Sequence, residues 1–282
     1  MMKIPKRKAD SNKGDYGHVF VLAGSPGFTG AAALCSRAAL LSGSGLVTLG
    51  IAKSLNPIMA RKLTEVMTKP LPETRGGTLS EKAYAGIMKF ADKADCLAIG
   101  PGLSRNPGAQ RLVRKVIIAL KGPVVLDADG LNALEGRVEL LKRAKAPVVV
   151  TPHPGEMSRL AGLTVKTVSA AKEKVAKEFA NKYNVVCVLK GHRTVVAAPG
   201  GRRYVNFTGN PGMAKGGTGD VLTGMIASFI GQGIRPFDAA KLGVYLHGLA
   251  GDLAAKDKGE VSMLASDLLN KIPEAIKKLA SS

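Results

Sequence analysis

A chain of 282 residues with 45% hydrophobic side chains is long enough to bury a sizeable core, and it holds no run of ~18 apolar residues that would span a bilayer. A formal net charge of +20 raises nucleic acid as a partner, but the cations are scattered and only 4% of residues are aromatic, so little is available for base stacking. An anionic small substrate steered by a positive field explains the charge equally well, and neither a nucleic-acid nor a membrane partner is expected.

The start of the chain carries a basic arm, Lys3, Lys6, Arg7 and Lys8, without the apolar stretch of a signal peptide, so a cytoplasmic location is expected. Short β-branched runs then alternate with helical patterns, the signature of an α/β fold whose mainly parallel sheet is covered on both faces. Strands are predicted at residues 19–23, 46–51, 96–99, 124–126, 148–150 and 185–189. Helices are predicted at 31–41, 81–90, 109–120, 138–142 and 168–181. Segments 194–198 and 202–206, joined by Pro199-Gly200-Gly201, read as a β-hairpin. A helix over 239–253 and a last pair broken at Pro273 complete the chain. No composition shift or linker divides it, so one domain over 1–282 is expected. Cys35, Cys96 and Cys187 sit in apolar segments without C-x-x-C spacing and read as buried, inert thiols.

Ligands of open α/β sheets collect beyond the carboxyl ends of the strands, which directs attention to the loops there. The first such loop, Gly24-Ser25-Pro26-Gly27-Phe28-Thr29-Gly30, leads into the small residues Ala31-Ala32-Ala33, and Gly100-Pro101-Gly102 closes another strand. Each fits close ligand approach or tight packing. Asp127, Asp129 and Asn132 follow the strand at 124–126; the acids suit Mg²⁺ or a phosphate-bearing ligand, or they cap the next helix. Prolines on both sides hold His153 in Thr151-Pro152-His153-Pro154-Gly155-Glu156 away from helical geometry, which points to a substrate contact. Lys190-Gly191-His192-Arg193-Thr194 offers cations and a hydroxyl to a nucleotide phosphate or ribose, or is a solvated turn. No P-loop is present.

Residues 209–220, Gly-Asn-Pro-Gly-Met-Ala-Lys-Gly-Gly-Thr-Gly-Asp, run straight into the apolar helical face of Val221, Leu222, Met225, Ile226 and Phe229. A glycine-rich entry to a helix attracts phosphate. Asp220 in its first turn is favoured by the helix dipole and can also take a proton from a hydroxyl being phosphorylated. The arrangement points to phosphoryl transfer to an alcohol.

In this order the segments resemble the ADP- or ATP-dependent NAD(P)H-hydrate dehydratases of the ribokinase-like superfamily. The resemblance covers nearly the whole chain. Its most specific parts are Thr-Pro-His-Pro-Gly-Glu at 151–156, Lys-Gly-x-x-Thr at 190–194 and Asn-Pro-Gly-Met-Ala-x-Gly-Gly-Thr-Gly-Asp-Val-Leu at 210–222. It implies a three-layer αβα sandwich, and repair of (6S)-NAD(P)H hydrate by phosphorylation of the C6 hydroxyl and loss of phosphate. Asp220 is implied as the base, with Gly217, Thr218 and Gly219 as the anion hole. Ala39, Gly102, His153 and Asp220 are implied to line the hydrated dinucleotide. Lys190, Gly191, His192, Arg193, Thr194 and Gly219 are implied to hold the adenine nucleotide. ADP or ATP as co-substrate, Mg²⁺, a homotetramer and a separate epimerase, for which this chain has no domain, are further expectations. The match departs from the family at Lys215, where a small or uncharged residue is expected, and at Asn12, where relatives carry His.

Two other functions share parts of this pattern. A ribokinase-like vitamin kinase acting on a hydroxymethylpyrimidine or hydroxyethylthiazole alcohol would use the same Gly-Thr-Gly-Asp chemistry. A non-catalytic nucleotide or nucleic-acid binder would use the basic surface.

Overall fold

In the computed structural model, valine-rich runs pair side by side because each is apolar on both faces and must be covered on both. The structure describes residue 4 and residues 7–281. Nine strands form one sheet: β1 His18–Leu22, β2 Leu46–Ala52, β3 Met67–Leu71, β4 Cys96–Ile99, β5 Val124–Leu126, β6 Val148–Val150, β7 Val186–Leu189, β8 Val195–Ala197 and β9 Arg203–Val205. Their order is β3-β2-β1-β4-β5-β6-β7-β8-β9, parallel through β7 and antiparallel for the last two. The order reverses between β1 and β4, which pair from Val19↔Cys96 to Leu22↔Ile99. A crevice therefore opens beyond the carboxyl ends of those two strands.

The helices are α1 Thr29–Leu41, α2 Asn56–Lys62, α3 Tyr84–Ala91, α4 Pro107–Ala119, α5 Asp129–Asn132, α6 Pro154–Ala161, α7 Val165–Ala170, α8 Lys172–Tyr183, α9 Thr218–Gly231, α10 Pro236–Lys258 and α11 Ala265–Ala280. α9 lies over β1, β4 and β5 and is flanked by α1, α10 and α11. Gly231 at its end faces Val19 and Cys96, while Leu112, Val113 and Val116 of α4 meet Leu22 and Ile99, whose side chains point to the opposite face. These are the layers of an αβα sandwich.

Several sequence expectations are corrected. β3 escapes the pattern because Met-Thr-Lys-Pro-Leu is a half-exposed edge strand, where Pro70 is tolerated. The last segment is one helix, α11, not a pair: Pro273 lies inside it, and the buried stripe Leu268, Leu269, Ile272 and Ala275 keeps the chain helical across the lost N–H. The stretch 168–181 is two helices separated at Ala171, with φ −128°. Val138–Arg143 is a 3-10 turn, and Glu81–Ala83 is another ahead of α3. Of the basic arm, Lys3 and Lys6 lie outside the described residues; Arg7 stacks 4.2 Å from the Tyr16 ring centre and donates to the Gly43 carbonyl at 2.7 Å. All three cysteines are buried and free.

The contact between α1 and α9 depends on small residues. A Cβ at Gly224 would lie well inside van der Waals contact of the Cys35 carbonyl oxygen and 3.0 Å from the Ala38 methyl. Helix propensity alone would favour Gly224→Ala by about 1 kcal/mol. Backbone cannot retreat as a side chain can, so the clash dominates, and the variant should lose about 2–4 kcal/mol, read as a lowered urea midpoint.

Candidate functional site

The loops that follow β1, β4, β5, β6 and β7 meet the start of α9 at the carboxyl edge of the sheet. Their backbones are laced together: Gly24 N–H donates to the Pro101 carbonyl at 2.8 Å, Ser25 Oγ to the Gly102 carbonyl at 2.8 Å, and Lys190 N–H to the Pro152 carbonyl at 2.9 Å. Gly100, at φ +133°, has no space for a Cβ because the Asp127 carbonyl occupies it. Gly102, at φ +63°, sits against the Cβ and carbonyl of Phe28, a residue 58% exposed.

A buried ion pair lies at the centre. Lys190 Nζ approaches Asp127 Oδ1 at 2.6 Å and Glu156 Oε2 at 4.0 Å. Asp127 Oδ2 accepts the Thr223 hydroxyl at 2.8 Å, and that hydroxyl also lies 3.2 Å from the Gly219 carbonyl. A Cβ on Gly219 would lie 3.3 Å from Lys190 Nζ, so Gly219 lets the ammonium reach under the first turn of α9. Burial would lower the Lys190 ammonium, but Asp127 and Glu156 together raise it, and it stays charged. Glu156 is pushed up by burial, against the pull of Lys190.

Asp220 occupies the third position of α9, behind Gly217 in the left-handed region at φ +96°. The N–H groups of Gly219 and Asp220 have no acceptor within the helix. That of Thr218 makes only a 3.5 Å contact with the Lys215 carbonyl. Burial and the neighbouring Asp127 carboxylate raise the Asp220 pKa to about 7; Lys190 opposes the rise, and Asp129 and Glu156 add to it. Beneath the turn, His247 is buried and its pKa is lowered to about 4. Neutral, it must donate from Nε2 to the Thr218 carbonyl, 2.8 Å away. The turn carrying Asp220 is thus pinned from below without a second cation.

His153 has a local task as well as an exposed face. Its Nδ1 accepts from the Gly155 and Glu156 N–H groups at 3.0 and 3.4 Å, capping α6, while Glu156 reaches back to the His153 N–H at 2.8 Å. Nε2 is left at the surface, 3.5 Å from Glu156 Oε1, on a side chain 52% exposed. Asp129 is likewise a tether, accepting from Ser104 N–H at 2.8 Å and Asn132 Nδ2 at 3.0 Å.

The run 190–194 divides in two. Lys190 points inward, whereas Gly191, His192 and Arg193 form an exposed turn closed by Lys172 Nζ on the His192 and Arg193 carbonyls at 2.8 and 3.2 Å. Thr194 Oγ1 donates to the Gly191 carbonyl at 3.0 Å. The Arg193 guanidinium stands 5.5 Å from the ring centre of the exposed Phe207. Ala39 is not brought to this cluster: it is fully buried in the last turn of α1, about 15 Å along the helix axis from its carboxyl-edge start. Lys215 turns to the Val261 carbonyl at 2.7 Å, and Asn12 caps the 3-10 turn Lys13–Tyr16. Sequence reasoning missed Thr223, His247, Lys172 and Phe207. Only Thr223 left a signal, a hydroxyl interrupting the apolar face of α9.

Comparison with known proteins places this geometry in context. The family model described as NAD(P)H-hydrate dehydratase matches residues 19–274. A bifunctional NAD(P)H-hydrate repair enzyme of Moorella thermoacetica is 47% identical over 277 residues, covering 98% of this chain and 52% of that protein. The chain therefore spans about half the length of that relative. The crystal structure of the ADP/ATP-dependent NAD(P)H-hydrate dehydratase from Bacillus subtilis, co-crystallized with ATP/Mg²⁺, superposes with a TM-score of 0.83 at 34% identity, covering 98% and 94% of the two chains. A ribokinase-like superfamily protein of Enterococcus faecalis superposes with a TM-score of 0.82 at 28% identity, covering 98% and 92%.

The raised Asp220 pKa makes stability depend on pH. Between the ordinary carboxyl value of 3.8 and about 7 the folded chain holds a proton that the unfolded chain has released. Its contribution is fully present below that range and lost as pH rises through about 7, where ionised Asp220 costs about 2–4 kcal/mol. Asp220→Asn removes that cost, so its urea midpoint should exceed that of the parent at pH 8 and match it near pH 4.

Proposed function

Because the chain belongs to the NAD(P)H-hydrate dehydratase family, we propose that it dehydrates (6S)-NAD(P)H hydrate at the expense of ADP or ATP. The observation that carries this reading is Asp220, a carboxyl pushed up to about 7 in the first turn of a helix whose N–H groups face the same crevice. A general base works best with a pKa near the operating pH.

Asp220 accepts the proton of the C6 hydroxyl as the hydroxyl oxygen attacks the terminal phosphorus and the bond from that phosphorus to the bridging oxygen breaks, releasing AMP from ADP or ADP from ATP. Amides of Gly217, Thr218 and Gly219 stabilise the charge on the phosphoryl oxygens, with Lys190 close beneath. The C6–O bond then breaks with its electron pair on phosphate, helped by the ring nitrogen, and loss of a C5 proton restores the double bond. Gly102 and the exposed Nε2 of His153 are assigned to the hydrated dinucleotide, and the turn from Gly191 to Thr194 to the adenine nucleotide. Ala39, fully buried, has no surface to offer that ligand within this chain.

Mg²⁺ accompanies ATP in the Bacillus relative. Here, among the described residues, no three His, Cys, Asp or Glu side chains converge as a metal cage, and both oxygens of Asp127 are taken by Lys190 and Thr223. A magnesium ion carried in by the nucleotide would need only one or two carboxylates besides the phosphates, and Asp127, Asp129 and Glu156 are the acids nearest Asp220.

Hydrated NADH incubated with ADP or with ATP should regain dihydronicotinamide absorbance and release free phosphate; accumulation of a phosphorylated alcohol would mark a kinase instead. kcat/KM should fall below pH about 7, because the base must be ionised. Asp220→Asn should lower turnover roughly 10²–10⁴-fold while adenine-nucleotide affinity, measured on the same preparation, holds or improves.

The two faces of His153 can be separated. His153→Asn keeps an acceptor for the α6 cap and should hold stability while weakening hydrated-dinucleotide binding. His153→Ala should lose both, with about 1 kcal/mol from the cap. Calorimetry with each ligand, alongside urea midpoints, reads the difference; equal affinities in all three proteins would leave His153 with the cap alone.

A further inference from the structure

Taking Asp220 as the base, we propose that Asp127 is a positioning residue, joining the nucleotide-side Lys190 to the turn that carries Asp220 so that cation and base meet the phosphoryl group in one fixed geometry. Asp127 sits just past β5 with 1% of its surface exposed. Its two oxygens hold two different segments, Lys190 after β7 at 2.6 Å and Thr223 of α9 at 2.8 Å. The Thr223 hydroxyl is also 3.2 Å from the Gly219 carbonyl, next to Asp220. The joint is itself fixed: Asp127 N–H donates to the Ile99 carbonyl at 3.1 Å, and its carbonyl accepts from Gly130 N–H at 2.8 Å. The carboxylate thereby locks two loops, those after β5 and β7, to one helix, α9.

Stability does not account for this arrangement. A buried ion pair is seldom better than apolar residues of the same volume, and a fully buried threonine at 223 is a poorer core filler than valine. What the polar joint supplies is direction. With Asp127 present, the Lys190 ammonium is paired at 2.6 Å, and a second negative charge stands beside the base. Asp220 then keeps its affinity for a proton instead of being neutralised by the ammonium. The groups that face Asp220 are Asp127, Lys190, Asp129 and Glu156, with the Cys35 thiol from α1. Of the carboxylates, Asp127 raises it most. The prediction is therefore directional: without the Asp127 charge, Asp220 becomes a weaker base that ionises at lower pH.

The experiment compares Asp127→Asn, Thr223→Val and Asp220→Asn in steady-state assays with hydrated NADH and ADP across pH. Asp127→Asn should lower kcat about tenfold or more, raise KM for ADP through the released Lys190, and move the acidic limb of kcat/KM to lower pH. Thr223→Val keeps the ion pair and its charge, so it should lower kcat severalfold with the acidic limb and KM for ADP unchanged. A slower Asp127→Asn whose acidic limb stays in place would reduce the residue to a fold element and overturn the proposal. So would recovery of its rate on raising Mg²⁺, which would mean that the carboxylate acts through the cation. If Asp127→Asn does not fold, Thr223→Val decides, since an unchanged kcat removes the tie to α9. Full turnover in Asp220→Asn would sink the assignment of the base; a dead Asp220→Asn beside a wild-type-like Asp127→Asn would sink only the present inference.

Discussion

The ion pair between Lys190 and Asp127 is the constraint on which the carboxyl edge depends. Asp127, Asp129, Glu156 and Asp220 share this small volume with one ammonium, and two of the acids, Asp127 and Glu156, are almost fully buried. Unpaired, a buried carboxylate costs several kcal/mol, and it would take up a proton or reorganise the loops around it. Pairing Asp127 so closely meets its charge at 2.6 Å. Glu156 is held by the cap it forms with His153, Asp129 by Ser104 and Asn132, and Asp220 alone is left facing the crevice with a proton to exchange near neutrality.

The topology explains why these groups meet there. Parallel strands bring every following loop to the same edge, and the reversal between β1 and β4 opens a gap that a helix N-terminus can enter. α9 is the helix that fills the face beneath the gap. It comes late in the chain and packs over β1, β4 and β5 because α1 presents mostly small residues, Ala32, Ala33, Cys35, Ser36, Ala38 and Ala39, to its buried side. A bulkier α1 would lift α9 from the sheet and carry Asp220 away from Lys190. In this sense the small residues of α1 belong to the site, with Ala32 beneath Gly24 and the Cys35 thiol facing Asp220.

Legibility followed locality. The valine-rich strands could be read from the residues because each is defined by its own side chains, whereas β3, with a lysine and a proline at an exposed edge, has no such pattern. Pro273 reads as a helix breaker until the buried stripe on both sides of it is seen to hold the helix together. In the site, the glycines at 209–219 and the prolines around His153 announce themselves. The bond from Lys190 spans 63 residues in sequence, and no spacing rule points from one partner to the other. His247 and Thr223 look like ordinary members of apolar helices, and their roles appear only when the carbonyl of Thr218 and the carboxylate of Asp127 lie above them. The run 190–194 reads as one cationic loop, but its first residue points into the protein and the rest face solvent.

The electrostatics of the first turn of α9 complete the argument. A helix N-terminus favours an ionised acid by a few tenths to about 1 kcal/mol, and Lys190 adds to that, yet Asp220 is held near neutrality by burial and by the carboxylates around it. The turn is therefore under two opposed fields. In the proposed reaction an incoming phosphate chain would take up the amides of the turn and the ammonium beneath it, the same groups that favour ionised Asp220, and would bring negative charge of its own. Both changes strengthen the hold of Asp220 on a proton. In the proposed reaction the base gains affinity for the hydroxyl proton when the phosphoryl group is seated, so proton transfer and phosphoryl transfer favour each other. That coupling needs Asp220 and the anion-binding amides on the same turn of one helix, which is where the chain places them.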